Sequence, residues 1–156
     1  IKSLNRFKGL PHRQEIVLSN KNILCINDSK VTSFDACLQS LSSYKQIYWI
    51  VGGQPKHKDR FYLKKVSKRI VKAYIIGKKI SFFKKQLEKS IPFSVSNNMG
   101  EAVSSIYKDL KSSKSIRKTI LLSPAAASFD QFINFENRGN HFKNLILKKF
   151  NKRKNV

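Results

Sequence analysis

The sequence predicts an α/β fold: a mostly parallel sheet of about six strands with helices on both faces and one antiparallel edge strand. Three observations lead there. Apolar strand-like runs alternate with helix-like segments along the chain. Short strands at 15–19 and 22–26 flank Asn20 and Lys21 as an N-terminal hairpin, which supplies the antiparallel edge. The run at 47–51 and the run at 119–122 are apolar with little alternation, as expected of strands covered on both faces.

The elements follow in order. Residues 7–13 read as a loop, because Gly9 and Pro11 break any regular element. Asn27, Asp28, Ser29 and Lys30 end the second hairpin strand. The next segment places Phe34, Cys37, Leu38 and Leu41 at the i, i+3, i+4, i+7 spacing of one helix face. The strand at 46–51 stops at Gly52 and Gly53. A basic helix is predicted from about Phe61, with Leu63, Val66 and Ile70 inward. A strand at 73–76 stops at Gly77, and Ile80, Phe83 and Leu87 mark another basic helix. A short strand at 93–95 precedes a helix with Ala102, Val103, Ile106 and Leu110 inward. The strand at 119–122 is the last, a helix is predicted from about Ser128 to Phe150, and residues 151–156 form a polar basic end expected to fray.

A length of 156 residues with 40% hydrophobic content fits one domain with its own core, so residues 1–156 are expected to be a single domain. No apolar run approaches the ~20 residues that span a bilayer, and no membrane partner is expected. The start at Ile1 has no initiator Met and no apolar leader run; it reads as a cut or a domain boundary. Cys25 and Cys37 lack the spacing of a zinc site or a disulfide framework and read as buried thiols of a cytoplasmic protein.

The charge is extreme, with 32 Lys+Arg against 9 Asp+Glu and a formal net charge of +23. That raises a basic polyanion-binding or nucleic-acid-binding module as the alternative function. Lysine supplies 25 of the 32 cations and arginine 7, whereas base readout favours the planar arginine fork. The lysines also spread along predicted surface helices, so nucleic acid is expected to bind only nonspecifically.

Chemistry concentrates at the carboxyl ends of the predicted strands, where open α/β sheets gather ligands. Asp28, Ser29, Lys30 and Thr32 follow one strand, Gly52, Gly53 and Lys56 the next, and the run from Ser123 to Ser128 the last. A strand that ends in Ser and small residues before opening a helix makes an anion site, because the first helical N–H groups and the positive dipole end face the ligand. Lys30, Lys56, Thr32 and Ser128 then offer two ammonium groups and two hydroxyls, a cradle suited to a ligand with two carboxylates. Each part has a plain structural alternative: Gly52-Gly53 as a simple turn, Asp28 or Ser128 as helix caps, Lys30 as surface, and Phe129, Phe132 and Phe135 as the core face of an amphipathic helix. The chain has no G-x-x-x-x-G-K-[ST] loop, no G-x-G-x-x-G after a strand, and no His/Cys/carboxylate group with metal-ligand spacing. No complete catalytic constellation is present in the sequence.

Four blocks resemble a known family: Gly9-Leu10-Pro11-His12-Arg13-x-Glu15; Asn27-Asp28-Ser29-Lys30-x-Thr32; Gly52-Gly53-x-x-Lys56; and Leu122-Ser123-Pro124-Ala125-x-Ala127-Ser128-x-Asp130-Gln131-Phe132-x-x-Phe135-Glu136-x-Arg138-Gly139. Together, from about residue 7 to 148, they resemble the C-terminal domain of the Mur ligases, in the branch that adds D-glutamate to UDP-N-acetylmuramoyl-L-alanine in peptidoglycan synthesis. The chain departs from that pattern at Val31, Ser33 and Ala126, where the family usually has Ala, Asn and Cys, and none of these removes a binding group. The resemblance implies a Rossmann-like three-layer domain that closes on an N-terminal UDP-binding domain and a central ATPase domain, both absent from this chain. It implies ATP and Mg2+, held mainly by the central domain, and an acyl-phosphate intermediate attacked by the amine of D-glutamate. This domain alone is then expected to be inactive. By the same resemblance, Lys30 is catalytic through its charge, Thr32, Lys56, Ser128, Phe129 and Phe135 bind D-glutamate, and His12, Arg13, Asn27 and Asp28 meet the nucleotide.

Overall fold

A continuous apolar run decides how the central strand is buried on both faces, and through it the layering of the molecule. The computed structural model describes residues 10–111 and 116–151. In chain order it contains β1 (Glu15–Ser19), β2 (Ile23–Asn27), α1 (Phe34–Ser43), β3 (Ile47–Gly52), β4 (Ile70–Ile76), α2 (Ile80–Leu87), β5 (Phe93–Asn97), α3 (Met99–Lys111), β6 (Lys118–Leu122) and α4 (Phe135–Phe150). Every residue of β3 is buried. Ile47, Trp49 and Val51 point into a core shared with Phe34, Leu41, Phe83 and Leu87 of α1 and α2. Tyr48 and Ile50 point the other way, toward Val103, Ile106, Phe142 and Ile146 of α3 and α4. The period-two reversal of side chains along a strand thus fills two cores from one sheet. Each fully buried large apolar side chain contributes about 1.5–3 kcal/mol.

The six strands run in the order β1-β2-β6-β3-β4-β5. β1 pairs antiparallel with β2, and the other four pairings are parallel. The predicted α/β class and hairpin edge are therefore the observed ones. The same holds for α1, α2, α3 and every predicted strand, with end shifts of one to three residues.

Two predicted helices differ. The segment from Phe61 to Ile70 forms two isolated 3-10 turns, Leu63–Lys65 and Ser67–Arg69, not an α-helix. Leu63 and Val66 are three apart, which a 3-10 turn eclipses on one side just as an α-helix would. Ile70, taken as the next helical position, instead opens β4 and pairs with Ile47. β-Branched Ile70 and Val71 favour that ladder over another helical turn. The final helix begins at Phe135 rather than at Ser128. Asn134 caps it, its side chain accepting the Asn137 N–H at 2.7 Å. Ser128 lies in a preceding turn, where its carbonyl accepts the N–H groups of Gln131 and Phe132. Phe129 is 71% exposed, so no continuous apolar face runs from 128 to 135. Positions 7–9 of the predicted first loop and 152–156 of the predicted frayed end lie outside the described residues.

Candidate functional site

β2, β6 and β3 are neighbours, and their carboxyl ends are in register: Asn27 sits opposite Leu122, and Leu122 opposite Ile50. The three loops that follow therefore start side by side. Backbone hydrogen bonds stitch them together. The Asp28 N–H donates to Leu122 O at 2.8 Å and the Gly52 N–H to Pro124 O at 3.0 Å. Gln54 and Ala127 exchange a pair of bonds at 2.8 and 2.9 Å. Gly52-Gly53 is more than a simple turn. Both residues have φ in the left-handed half of the map, at 138° and 134°. A Cβ on Gly52 would meet Ile76 O at 2.0 Å, and one on Gly53 would meet Ala127 O at 2.3 Å. Close backbone approach requires both glycines.

Beneath the loops lies a buried polar frame. Asp28 is 1% exposed. Its Oδ1 accepts the Gln14 N–H at 3.1 Å, and its Oδ2 accepts Ser123 Oγ at 3.2 Å together with a short bond from Ser40 Oγ. Asp28 does not cap α1: Ser33 is the N-cap residue, and the first helical N–H, of Phe34, donates to the distant Asp59 at 3.1 Å. Asn27 is equally enclosed: its Nδ2 lies 2.9 Å from His12 Nδ1 and donates to Glu15 Oε2 at 3.0 Å, while its Oδ1 accepts the Ser29 N–H. Lys143 of α4 reaches Glu15 at 2.7 Å. Burial raises the Glu15 pKa, but the hydrogen bonds and charge of Lys143, with the His12 N–H and Asn27, outweigh it and leave the carboxyl below its ordinary range. Gly139 lets α4 pack here, because a Cβ would meet His12 Nδ1 at 2.2 Å.

Arg138 binds the frame to the loops. Its buried guanidinium donates from Nε to Ser29 Oγ at 3.0 Å, from Nη2 to Ser29 O at 2.7 Å, and from Nη1 to Ala126 O at 2.9 Å. Ser29 Oγ in turn donates to Phe135 O at 2.8 Å. One side chain thus joins α4 to the loops after β2 and β6. Burial pushes its pKa down to about 10, against the charge of Asp130, and it remains a cation at neutral pH. No positioning role for Arg138 was read from sequence. The available signal was one of only 7 arginines standing beside a glycine at the end of the last block.

The predicted site residues divide into two sets. His12, Asn27 and Asp28, expected at the nucleotide, are buried and engaged with other parts of this chain. Arg13, Lys30, Lys56 and Phe129 are exposed, and Thr32 and Phe135 are half-buried. Ser128 is 3% exposed. Lys30 is fixed by its N–H to His12 O at 3.0 Å, and its Nζ lies 5.9 Å from the centre of the Phe135 ring. The helix expected to open at Ser128 begins instead at Phe135, whose ring lies beside the Lys30 ammonium. Its first N–H groups and the positive dipole end face the same sheet edge as the Lys30 ammonium. Among the described residues no group of three or more His, Cys, Asp or Glu could hold a metal ion.

No protein-family model matches the chain. Curated relatives do. It is 43% identical over 143 residues to the UDP-N-acetylmuramoylalanine–D-glutamate ligase of Nitrobacter hamburgensis, covering 92% of this chain and 31% of that protein. The enzyme of the same name from Rhodopseudomonas palustris gives the same figures, and that of Brucella abortus is 42% identical over 145 residues. Over 92% of its length this chain is homologous to Mur ligases. It resembles their C-terminal domain, as the four sequence blocks implied, and it spans 31% of the length of these relatives. A murein peptide ligase from Psychrobacter arcticus shares the fold with a TM-score of 0.54 at 11% identity, over 99% of this chain and 32% of that one.

Proposed function

We propose that this chain is the D-glutamate-presenting domain of the ATP-dependent ligase that joins D-glutamate to UDP-N-acetylmuramoyl-L-alanine in the cytoplasm. The observation that carries the reading is the register of β2, β6 and β3, which sets the Lys30–Thr32, Ser123–Ser128 and Gly52–Lys56 loops side by side at one sheet edge. The relatives bear D-glutamate ligase as their name, which supports the same substrate. Thr32 and Lys56 hold one carboxylate of D-glutamate; Ser128 and the N-terminus of α4 at Phe135 hold the other, with Phe129 at the rim. Lysine serves there as a point charge and the hydroxyls as short donors. Lys30 stands where negative charge develops as the amine attacks, and stabilises it.

ATP supplies the activation of the L-alanyl carboxylate as an acyl phosphate. ATP and Mg2+ would be held mainly by the ligase's central domain; among this chain's described residues no cluster of His, Cys, Asp or Glu could hold the metal. Arg13, exposed beside the buried His12–Asn27–Asp28 frame, meets the nucleotide when the domains close. The frame itself holds the Lys30 backbone in place through His12 O.

The test is turnover of the complete ligase with Lys30→Ala or Ser128→Ala. Loss of one preorganised electrostatic group typically costs about 10²–10³ in kcat, and that loss is expected for Lys30→Ala. Unchanged turnover in both variants overturns the site. The domain alone is expected to form no product.

A further inference from the structure

Asp130 and Gln131 belong to the last sequence block but are not ligands of the proposed cradle. They lie just after Ser128, in the loop between β6 and α4. Their side chains pass the end of β3 and reach the ends of β4 and β5. The Lys78 N–H donates to Asp130 Oδ2 at 2.9 Å, and Gln131 Nε2 donates to Asn97 O at 2.8 Å. The same Asn97 carbonyl accepts the Gly77 N–H at 2.8 Å, so three chain segments meet at one point. Gly77 makes the meeting possible. Its φ is 92°, and a Cβ there would stand 2.3 Å from Asp130 Oδ2.

A loop residue holds a ligand in one geometry only when its own backbone is fixed. Ser128 is fixed on both sides. Before it, Ala127 and Gln54 exchange backbone bonds, and Arg138 donates to Ala126 O. After it, Asp130 and Gln131 tie the loop to the ends of β4 and β5. The turn between closes on Ser128 O, which accepts the Gln131 and Phe132 N–H groups at 3.1 and 2.9 Å. A shift at Asp130 therefore passes to Ser128 through one hydrogen-bonded turn. Apolar packing holds this stretch only at Phe132, because Phe129 and Ile133 are 71% and 80% exposed.

We infer that Asp130, aided by Gln131, is a positioning residue for D-glutamate: it clamps the loop to the ends of β4 and β5 and so holds the Ser128 hydroxyl where a carboxylate meets it. The inference rests on the ligase reading of the Ser128 cradle. Neither side chain touches the substrate in this role. One hydrogen bond is worth about two- to tenfold in an equilibrium constant, which sets the scale for each tie. The plain alternative is that Asp130 serves only as a counter-charge for the buried Arg138 guanidinium. An amide in place of the carboxylate separates the two, since it keeps an acceptor oxygen and loses the charge.

The test is steady-state kinetics of the complete ligase with Asp130→Ala, Gln131→Ala, the two together, and Asp130→Asn, beside Ser128→Ala as reference. Each single change to alanine should raise the KM for D-glutamate about threefold and the pair about tenfold, while the KM for UDP-N-acetylmuramoyl-L-alanine stays within about twofold. Asp130→Asn should stay within about twofold of the unaltered enzyme. Added to Ser128→Ala, the pair should raise the KM less than about threefold further, because the group it positions is gone. Hydrogen exchange at the Lys78 amide should quicken in Asp130→Ala and not in Asp130→Asn. Asp130→Asn as impaired as Asp130→Ala makes Asp130 a counter-charge and overturns the inference. So does an equal rise of both KM values in the pair, or an unchanged KM for D-glutamate there; a raised KM in Ser128→Ala then leaves the cradle standing. An unchanged KM in Ser128→Ala removes the cradle, and the positioning role with it.

Discussion

Replacing Arg138 tests how the loops are held. Arg138→Met keeps much of the side-chain volume and removes the fork. Three acceptors, Ser29 O, Ser29 Oγ and Ala126 O, then lose a charged donor in a place where Arg138 itself is 1% exposed. A buried acceptor left unpaired costs about 1–3 kcal/mol, which for three gives a gross loss of about 3–9 kcal/mol. Release from burying a guanidinium offsets part of this. The net expectation is a loss of about 3–5 kcal/mol, the range measured when one partner of a buried charged pair is removed. Urea unfolding of the 156-residue chain reads it. With an m-value of about 2 kcal/mol/M, the midpoint should fall by about 2 M. Arg138→Lys retains charge but reaches fewer of the acceptors, and should fall between. A midpoint shift below about 0.5 M for Arg138→Met would mean that Arg138 is not a buried tie, because so small a cost is typical of a surface change.

Other expectations follow from the same geometry. Gly53→Ala should destabilise by several kcal/mol in the same urea assay, since its Cβ would lie 2.3 Å from Ala127 O at a φ of 134°. Asn134→Ala should cost about 1 kcal/mol by removing the α4 cap, whereas Ser128→Ala should leave helix content by circular dichroism unchanged. Burial pushes the Cys25 thiol up to about 12 and raises that of Cys37 further, so neither should react with a disulfide reagent at pH 8 until urea unfolds the chain. Glu15 and Asp109 titrate below their ordinary values in the fold, burial notwithstanding, because Lys143 and Lys72 bond them. Their contribution is present above the unfolded carboxylate pKa and is lost as pH falls through the folded one. Thermal unfolding followed from pH 7 to 3 should show that loss, and Lys143→Ala should reduce its size.

The sheet was legible because strands covered on both faces spell continuous apolar runs, as in β3 and β6, and because Asn20-Lys21 separates two short strands. The loops were legible as a group because Gly52-Gly53, Asp28 and Ser123 mark strand ends. The start of α4 was not. Phe129, Phe132 and Phe135 have the spacing of a helix face, but Phe129 faces solvent and the Ser128 carbonyl is used in a turn. Spacing alone cannot tell that a nearby Asn makes the better cap. The 3-10 turns at 63–69 were missed for a related reason, since one i, i+3 pair fits either helix. The inward role of Asp28 and the tie made by Arg138 depend on residues about 95 and 109 positions away in the chain, which no local pattern reveals.

The edge of β2, β6 and β3 is proposed to hold D-glutamate. Steady-state kinetics of the complete ligase with Thr32→Val and Ser128→Ala test it most directly, with the KM for each substrate measured separately. The KM for D-glutamate is expected to rise at least tenfold in each variant while the KM for UDP-N-acetylmuramoyl-L-alanine stays within twofold. An unchanged KM for D-glutamate in both variants, or an equal rise for both substrates, would contradict it.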